Sequence, residues 1–158
     1  MYEISREFEF SYAHRLWHYE GKCNNLHGHN AKVRVTLELN QLDELGLSVD
    51  FGLVKREIER WVEQNWDHKT FLSKDDPLYP ILQKAGVDCI ALDSNPTSEL
   101  FARLLFQQAI DMGLPIKYVD FWETSKSVAR YAQDKREMKA TPKDKASNKA
   151  PIKKSAVR

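Results

Sequence analysis

Three histidines, His14, His27 and His29, fall where two strands can carry their rings to one point. In residues 3–14, Ile4, Phe8, Phe10, Tyr12 and His14 share one parity, while Glu3, Ser5, Glu7, Glu9 and Ser11 share the other; Arg6 is the one discordant residue. That alternation is the pattern of a half-buried strand. Residues 27–39 repeat it, with His27, His29, Ala31, Val33, Val35, Leu37 and Leu39 on the apolar side. If the two strands pair as a hairpin, the loop 15–26 brings their ends together. His27 and His29, two apart on a strand, leave by the same face. Clustered inward imidazoles need donors, acceptors or a metal. Three of them fill three positions of a tetrahedral zinc and leave one open, the arrangement of a catalytic site. Iron, copper or nickel also bind three imidazoles, so zinc is preferred on affinity order and availability. His18 lies in the loop and is read as solvated.

Cys23 precedes His27 by four residues, in KCNNLHGH. Two roles are open to it. As a fourth ligand it would close the site into a structural one. As an uncoordinated neighbour of the metal it would be a thiol activated by positive charge, able to act as base or nucleophile. Cys89 has no such company and is read as inert. Asp67 and His68 are adjacent in NWDHKTFL, where a carboxylate can fix the tautomer of an acid–base imidazole. Glu123, in FWETSK, shares parity with Lys117, Val119 and Phe121, so its carboxylate is expected to point inward and to need N–H donors there.

Residues 53–65 place Val54, Ile58, Trp61 and Val62 at helical spacing. A second helix starts at Asn95-Pro96-Thr97, carries Leu100, Leu104, Leu105, Ala109 and Met112 on one face, and stops at Gly113. A strand follows over Ile116–Thr124 and a shorter one near 127–131. The intervening 72–94 reads as a long connector with a helical piece around Leu78–Lys84. The order predicts an α+β domain in which helices cover one face of an antiparallel sheet.

The chain of 158 residues is long enough for one domain with a real core, and 42% hydrophobic with 30% charged residues is ordinary for a globular protein. Its net charge of +1 hides an asymmetry. Residues 139–158 carry six Lys and one Arg against one Asp, which leaves a mildly acidic body. We therefore expect a folded domain over 1–133 and a basic, disordered tail over 134–158, too poor in apolar residues to fold alone. The tail has no aromatic residue to stack on bases, which argues against nucleic-acid binding. No apolar run is long enough to span a bilayer and the N-terminus lacks an export pattern, so no membrane partner is expected. Two cysteines make no disulfide framework, and a cytoplasmic location is the expectation.

Taken together, these residues resemble the 6-pyruvoyl-tetrahydropterin synthase family, which includes the bacterial 6-carboxy-tetrahydropterin synthases. The likeness runs from about Phe8 to Tyr131 in ordered blocks. FSYAHRL holds the first zinc histidine, His14, and CNNLHGHN is the C-x-x-x-H-G-H signature with His27 and His29 as ligands and Cys23 as catalytic thiol. VDF around Asp50 resembles the entry to the first helix, and WDH the relay pair Asp67 and His68. NPTSE, with Thr97 and Ser98, and WET, with Glu123, resemble the pterin-binding segments.

The resemblance implies a tunnelling fold, a four-stranded antiparallel sheet with two helices packed on one face. It implies a homo-hexamer, a dimer of trimers, with one Zn2+ per subunit and active sites between subunits, so that Asp67 and His68 come from a neighbour of Cys23. The implied substrate is 7,8-dihydroneopterin triphosphate, with Cys23 moving a side-chain proton, His68 as its partner and Glu123 holding the pterin ring. Three residues between Cys23 and His27 resemble the carboxy-forming bacterial branch of queuosine synthesis, a lyase releasing acetaldehyde and triphosphate; the pyruvoyl-forming reaction and a non-catalytic zinc- or pterin-binding relative are the alternatives. No acidic residue lies between Cys23 and His27, unlike the branch that forms the hydroxymethyl pterin. SVDFG lacks the family's usual methionine, and the 72–94 connector and the lysine-rich tail exceed compact members.

Overall fold

The alternation at the start of the chain folds as one long hairpin. In the computed structural model, which describes residues 1–133, β1 (Tyr2–His14) pairs antiparallel with β2 (His27–Leu39) from Tyr2 opposite Leu39 to His14 opposite His27. Phe8, Phe10 and Tyr12 from β1 and Ala31, Val33, Val35 and Leu37 from β2 are buried, while their odd-parity neighbours on β1 face outward. The basic segment 134–158 lies outside the described residues.

Helix α1 is α-helical over Phe51–Val54 and Arg60–Asn65, with a π-helical stretch over Lys55–Glu59 between them. Asp50 caps it, its side chain accepting the Gly52 N–H at 2.8 Å. Val54, Ile58 and Val62, four apart, are its buried stripe. Next come β3 (Lys69–Ser73), α2 (Leu78–Lys84) and β4 (Cys89–Leu92). Helix α3 (Ser98–Asp111) leads through Gly113, at φ 77°, into β5 (Ile116–Thr124) and β6 (Ser127–Ala132). The left-handed φ at Gly113 is the conformation that ends a helix most cheaply with glycine. The face α3 buries is Phe101, Ala102, Leu105, Phe106 and Ala109; Leu100 and Leu104, expected on it, are half-buried at its border.

The sheet departs from the expected four antiparallel strands. It has six, in the order β4-β3-β1-β2-β5-β6, and it is mixed: β3 runs parallel to β1, and β4 parallel to β3. Of the two extra strands, β4 lies inside the segment read as connector and β3 overlaps only its first two residues; α2 makes a third helix that packs against them. For β3 the physical reason is burial on both faces. Thr70, Phe71, Leu72 and Ser73 are consecutively buried, so β3 shows no alternation to read. A second difference concerns Lys117, which pairs outward with Glu3 and Glu38. The register between β2 and β5 shifts after Leu37–Ile116, so Lys117 is skipped and the inward parity resumes at Val119 and Phe121.

Helices α1 and α3 contribute to a single apolar cluster with the inward residues of β1, β2 and β5. None of the described helices is long and apolar enough to cross a membrane.

Candidate metal centre and catalytic site

The end of the hairpin gathers the three histidines. His14 sits opposite His27, and His29 opposite Tyr12, all on the face that covers the core. One ring nitrogen of each lies within 4.8 Å of the other two, and the ring centroids are 4.6, 4.9 and 5.2 Å apart. Gly28 between His27 and His29 allows the close pairing there, since a Cβ would stand 3.2 Å from the Tyr12 carbonyl oxygen. Phe101 of α3 supports the cluster from below, its ring 5.0 Å from Tyr12 and 6.4 Å from His14.

The ring tautomers follow from the backbone. His14 donates from Nδ1 to the Pro96 carbonyl at 2.7 Å, and His27 donates from Nδ1 to the Asn25 carbonyl at 2.7 Å. Each contact leaves the lone pair on Nε2, the arrangement by which a carbonyl orients a metal-binding imidazole. Nε2 of His14 and Nε2 of His29 are buried with no hydrogen-bond partner among the described residues. Burial holds both rings below the ordinary imidazole value; for His14 the charges of His27 and His29 add to that against Pro96 and Glu123. Neutral imidazoles with orphaned lone pairs are what a divalent cation requires. Nitrogens bound at about 2.0–2.1 Å to one tetrahedral ion lie about 3.3 Å apart. From separations of at most 4.8 Å, the rings need draw in by no more than about 1.5 Å. The donor set fits zinc.

Cys23 is half-buried in a short 3₁₀ turn, Lys22–Asn24, and its sulfur does not belong to the group of clustered donors. Glu123 enters from β5 with its carboxylate 3.9 Å from His14 Nε2, and accepts the Tyr12 hydroxyl at 3.3 Å. Burial, then Glu123, pushes the Tyr12 hydroxyl far above the ordinary tyrosine value, so it stays a donor.

Asp67 and His68 pair with each other, His68 Nδ1 donating to Asp67 Oδ2 at 2.8 Å, and Asp67 also accepts the Ser11 N–H at 2.9 Å. Burial would raise the Asp67 carboxyl, but the Ser11 N–H and His68 outweigh it and hold it below the usual carboxylate range. His68 sits at φ 59° with its side chain 79% exposed. Among the described residues, no hydrogen bond or ion pair joins this pair to Cys23, Glu123 or the histidines.

Thr97 caps α3, its hydroxyl accepting the Leu100 N–H at 3.3 Å, and Ser98 is the first residue of that helix, half-buried. His18 is exposed, as expected, at φ 65°, its ring tilted against Trp17 with centroids 4.4 Å apart. Sequence reasoning missed Tyr12 as a polar member of the site, though its parity with His14 carried that signal. It placed Asn95 and Pro96 in the NPTSE segment but missed their contacts to Trp17 and His14, and it missed the Arg15–Asp76 ion pair; these partners lie 61 to 82 residues apart and leave no local trace.

Comparison with known proteins shows the family. A 6-carboxy-5,6,7,8-tetrahydropterin synthase from Synechocystis sp. is 35% identical over 136 residues, 83% of this chain and 93% of that one. One from Rickettsia conorii is 34% identical over 104 residues, 65% of this chain and 75% of that one. The solved 6-pyruvoyl tetrahydropterin synthase of Caenorhabditis elegans superposes with a TM-score of 0.63 at 29% identity, covering 84% of this chain and 96% of that one. Residues 3–134 match the family model of 6-pyruvoyl tetrahydropterin synthase, and the chain belongs to that family.

Proposed function

We propose that the protein is a zinc-dependent lyase that converts 7,8-dihydroneopterin triphosphate and one water to 6-carboxy-5,6,7,8-tetrahydropterin, acetaldehyde and triphosphate. The observation that carries the reading is the cluster of His14, His27 and His29, two of its ring nitrogens buried and orphaned, beside the Glu123 carboxylate. The names of the bacterial relatives support the carboxy product over the pyruvoyl one.

His14, His27 and His29 would hold the ion, with Cys23 left outside its coordination. A bound zinc supplies Lewis acidity toward the substrate's side-chain oxygens. Glu123 accepts the paired N–H groups of the pterin ring, a charge-assisted arrangement that fixes the ring's orientation. Its neighbour Tyr12 donates to the same carboxylate and keeps it aimed. Thr97 and Ser98, at the start of α3, line the pterin segment. Cys23 takes a proton from the substrate side chain, and His68, its tautomer set by Asp67, exchanges protons at the opposite side. The exposed position of His68, apart from Cys23 in its own chain, supports sites shared between subunits of a dimer of trimers, His68 of one facing Cys23 of another. A cytoplasmic enzyme of queuosine synthesis is the same reading carried to its pathway.

The test is incubation of zinc-loaded protein with 7,8-dihydroneopterin triphosphate and a mass spectrum of the pterin formed. The carboxy product is expected. The pyruvoyl product would move the protein to the other branch, and unchanged substrate would make it a binding relative.

A further inference from the structure

The 3₁₀ turn that carries Cys23 is tied to the hairpin through Leu16, whose N–H donates to the Cys23 carbonyl at 2.8 Å and whose carbonyl accepts the Tyr19 N–H at 3.2 Å. Leu16 lies between two pins. On one side Arg15 pairs through both Nε and an Nη with Asp76, whose side chain is fully buried. On the other side Trp17 is held at both backbone atoms by one side chain. Its N–H donates to Asn95 Oδ1 at 2.8 Å, and its carbonyl accepts Asn95 Nδ2 at 2.9 Å. The Asn95 amide thus imitates a neighbouring strand, a two-bond contact that fixes position and orientation together. The next residue, Pro96, is buried and gives its carbonyl to His14 Nδ1. One dipeptide therefore addresses the histidine cluster through its backbone and the thiol loop through its side chain.

We propose that Asn95 is a positioning residue for Cys23: by clamping Trp17 it fixes where the thiol stands relative to the histidines. This deepens the function proposed above and rests on it for the role of the thiol. Asn95 is also the cleaner residue to test, because truncating Arg15 would strand the buried Asp76 charge. Loss of the Asn95 clamp removes two hydrogen bonds between uncharged groups and leaves the Pro96 carbonyl on His14.

The experiment compares full-length, zinc-loaded wild type with Asn95→Ala and Asn95→Asp. The aspartate keeps the acceptor for the Trp17 N–H and loses the donor to its carbonyl. Zinc content, kcat and KM are measured, together with the rate at which iodoacetamide alkylates Cys23, distinguished from Cys89 by peptide mass. All three proteins are expected to bind zinc alike. In Asn95→Ala, Cys23 is alkylated at least about threefold faster as the half-buried sulfur gains access. Its kcat falls by about 100-fold at near-constant KM, the effect of a small misplacement of a reacting group. Asn95→Asp falls between the two. A wild-type alkylation rate in Asn95→Ala overturns the proposal whatever kcat does, and so does loss of zinc along with kcat. Should Asn95→Ala not fold, Asn95→Asp carries the comparison, and a wild-type alkylation rate there overturns it. Alkylation needs no substrate, so a wild type that turns over no pterin removes the proposed function while the clamp is still judged by these rates.

Discussion

Stripping the metal is expected to leave the fold standing and to lower its melting temperature by about 10–15 °C. The core is apolar and complete without an ion: Phe8, Val33, Val35, Ile58, Phe101, Leu105 and Phe121 are buried against one another, and only the rings at the hairpin end would shift. Zinc that binds the folded chain and is held free at about 1,000 times its Kd stabilises by about 4.1 kcal/mol. An unfolding entropy near 2.1 cal/mol/K per residue over the 133 described residues gives about 0.28 kcal/mol/K, hence about 15 °C at most. Weak binding to the unfolded chain trims that figure. The assay is calorimetry of chelator-stripped protein titrated with zinc. His29→Ala should reduce the shift to under about 3 °C, and Cys23→Ala should keep it whole while abolishing turnover. The pH dependence has a definite sign. Burial lowers the folded values of His14 and His29, so the unfolded chain binds more protons below about pH 6.5. The apoprotein's stability therefore falls as pH drops from there toward the folded values. An apoprotein without a cooperative melt would make the site structural. An undiminished shift in His29→Ala, or a lost shift in Cys23→Ala, would refute the ligand assignment.

Replacing Arg15 by Met should cost about 3–5 kcal/mol in urea unfolding, because the buried Asp76 carboxylate loses its partner. In wild type, burial pushes Asp76 up but Arg15 and the Leu78 N–H hold it below the usual range. Its contribution is thus present above the unfolded carboxyl value of about 3.9 and lost as pH falls through the folded value. In Arg15→Met that loss should begin at higher pH, and an unchanged acid profile would count against the pairing. Glu123→Gln should keep zinc but lose about 10- to 100-fold in kcat/KM, the worth of a hydrogen bond to a charged acceptor; a wild-type ratio would remove Glu123 from the pterin site. Mixing subunits of Cys23→Ala and His68→Ala, each inactive alone, should restore up to about a quarter of the wild-type sites if neighbours share them. No recovery after subunit exchange would place both residues in one chain's site.

The strand alternation by itself determined the essentials of the site. A period of two puts His14, His27 and His29 on the core face of their strands, and no register that buries Phe8, Phe10, Val33 and Val35 can send those rings outward. The same rule aimed Glu123 inward. Helix positions were legible from the Asn95-Pro96-Thr97 start and from the four-residue spacing of Val54, Ile58 and Val62, while the capping roles of Thr97 and Asp50 emerged with the structure. What only the tertiary structure decided depends on partners far away in sequence. β3 is buried on both faces and β4 is half-buried along its length; each pairs parallel to a strand that precedes it by many residues, so neither shows a period to read. The bulge that turns Lys117 outward is visible only against β2. The tautomer of His14 is set by a carbonyl 82 residues on, and the loop holding Cys23 by an amide 78 residues from Trp17. Periodicity reports which face a side chain takes, because that depends on its neighbours in sequence; the hydrogen-bond partner it finds there depends on how the chain returns.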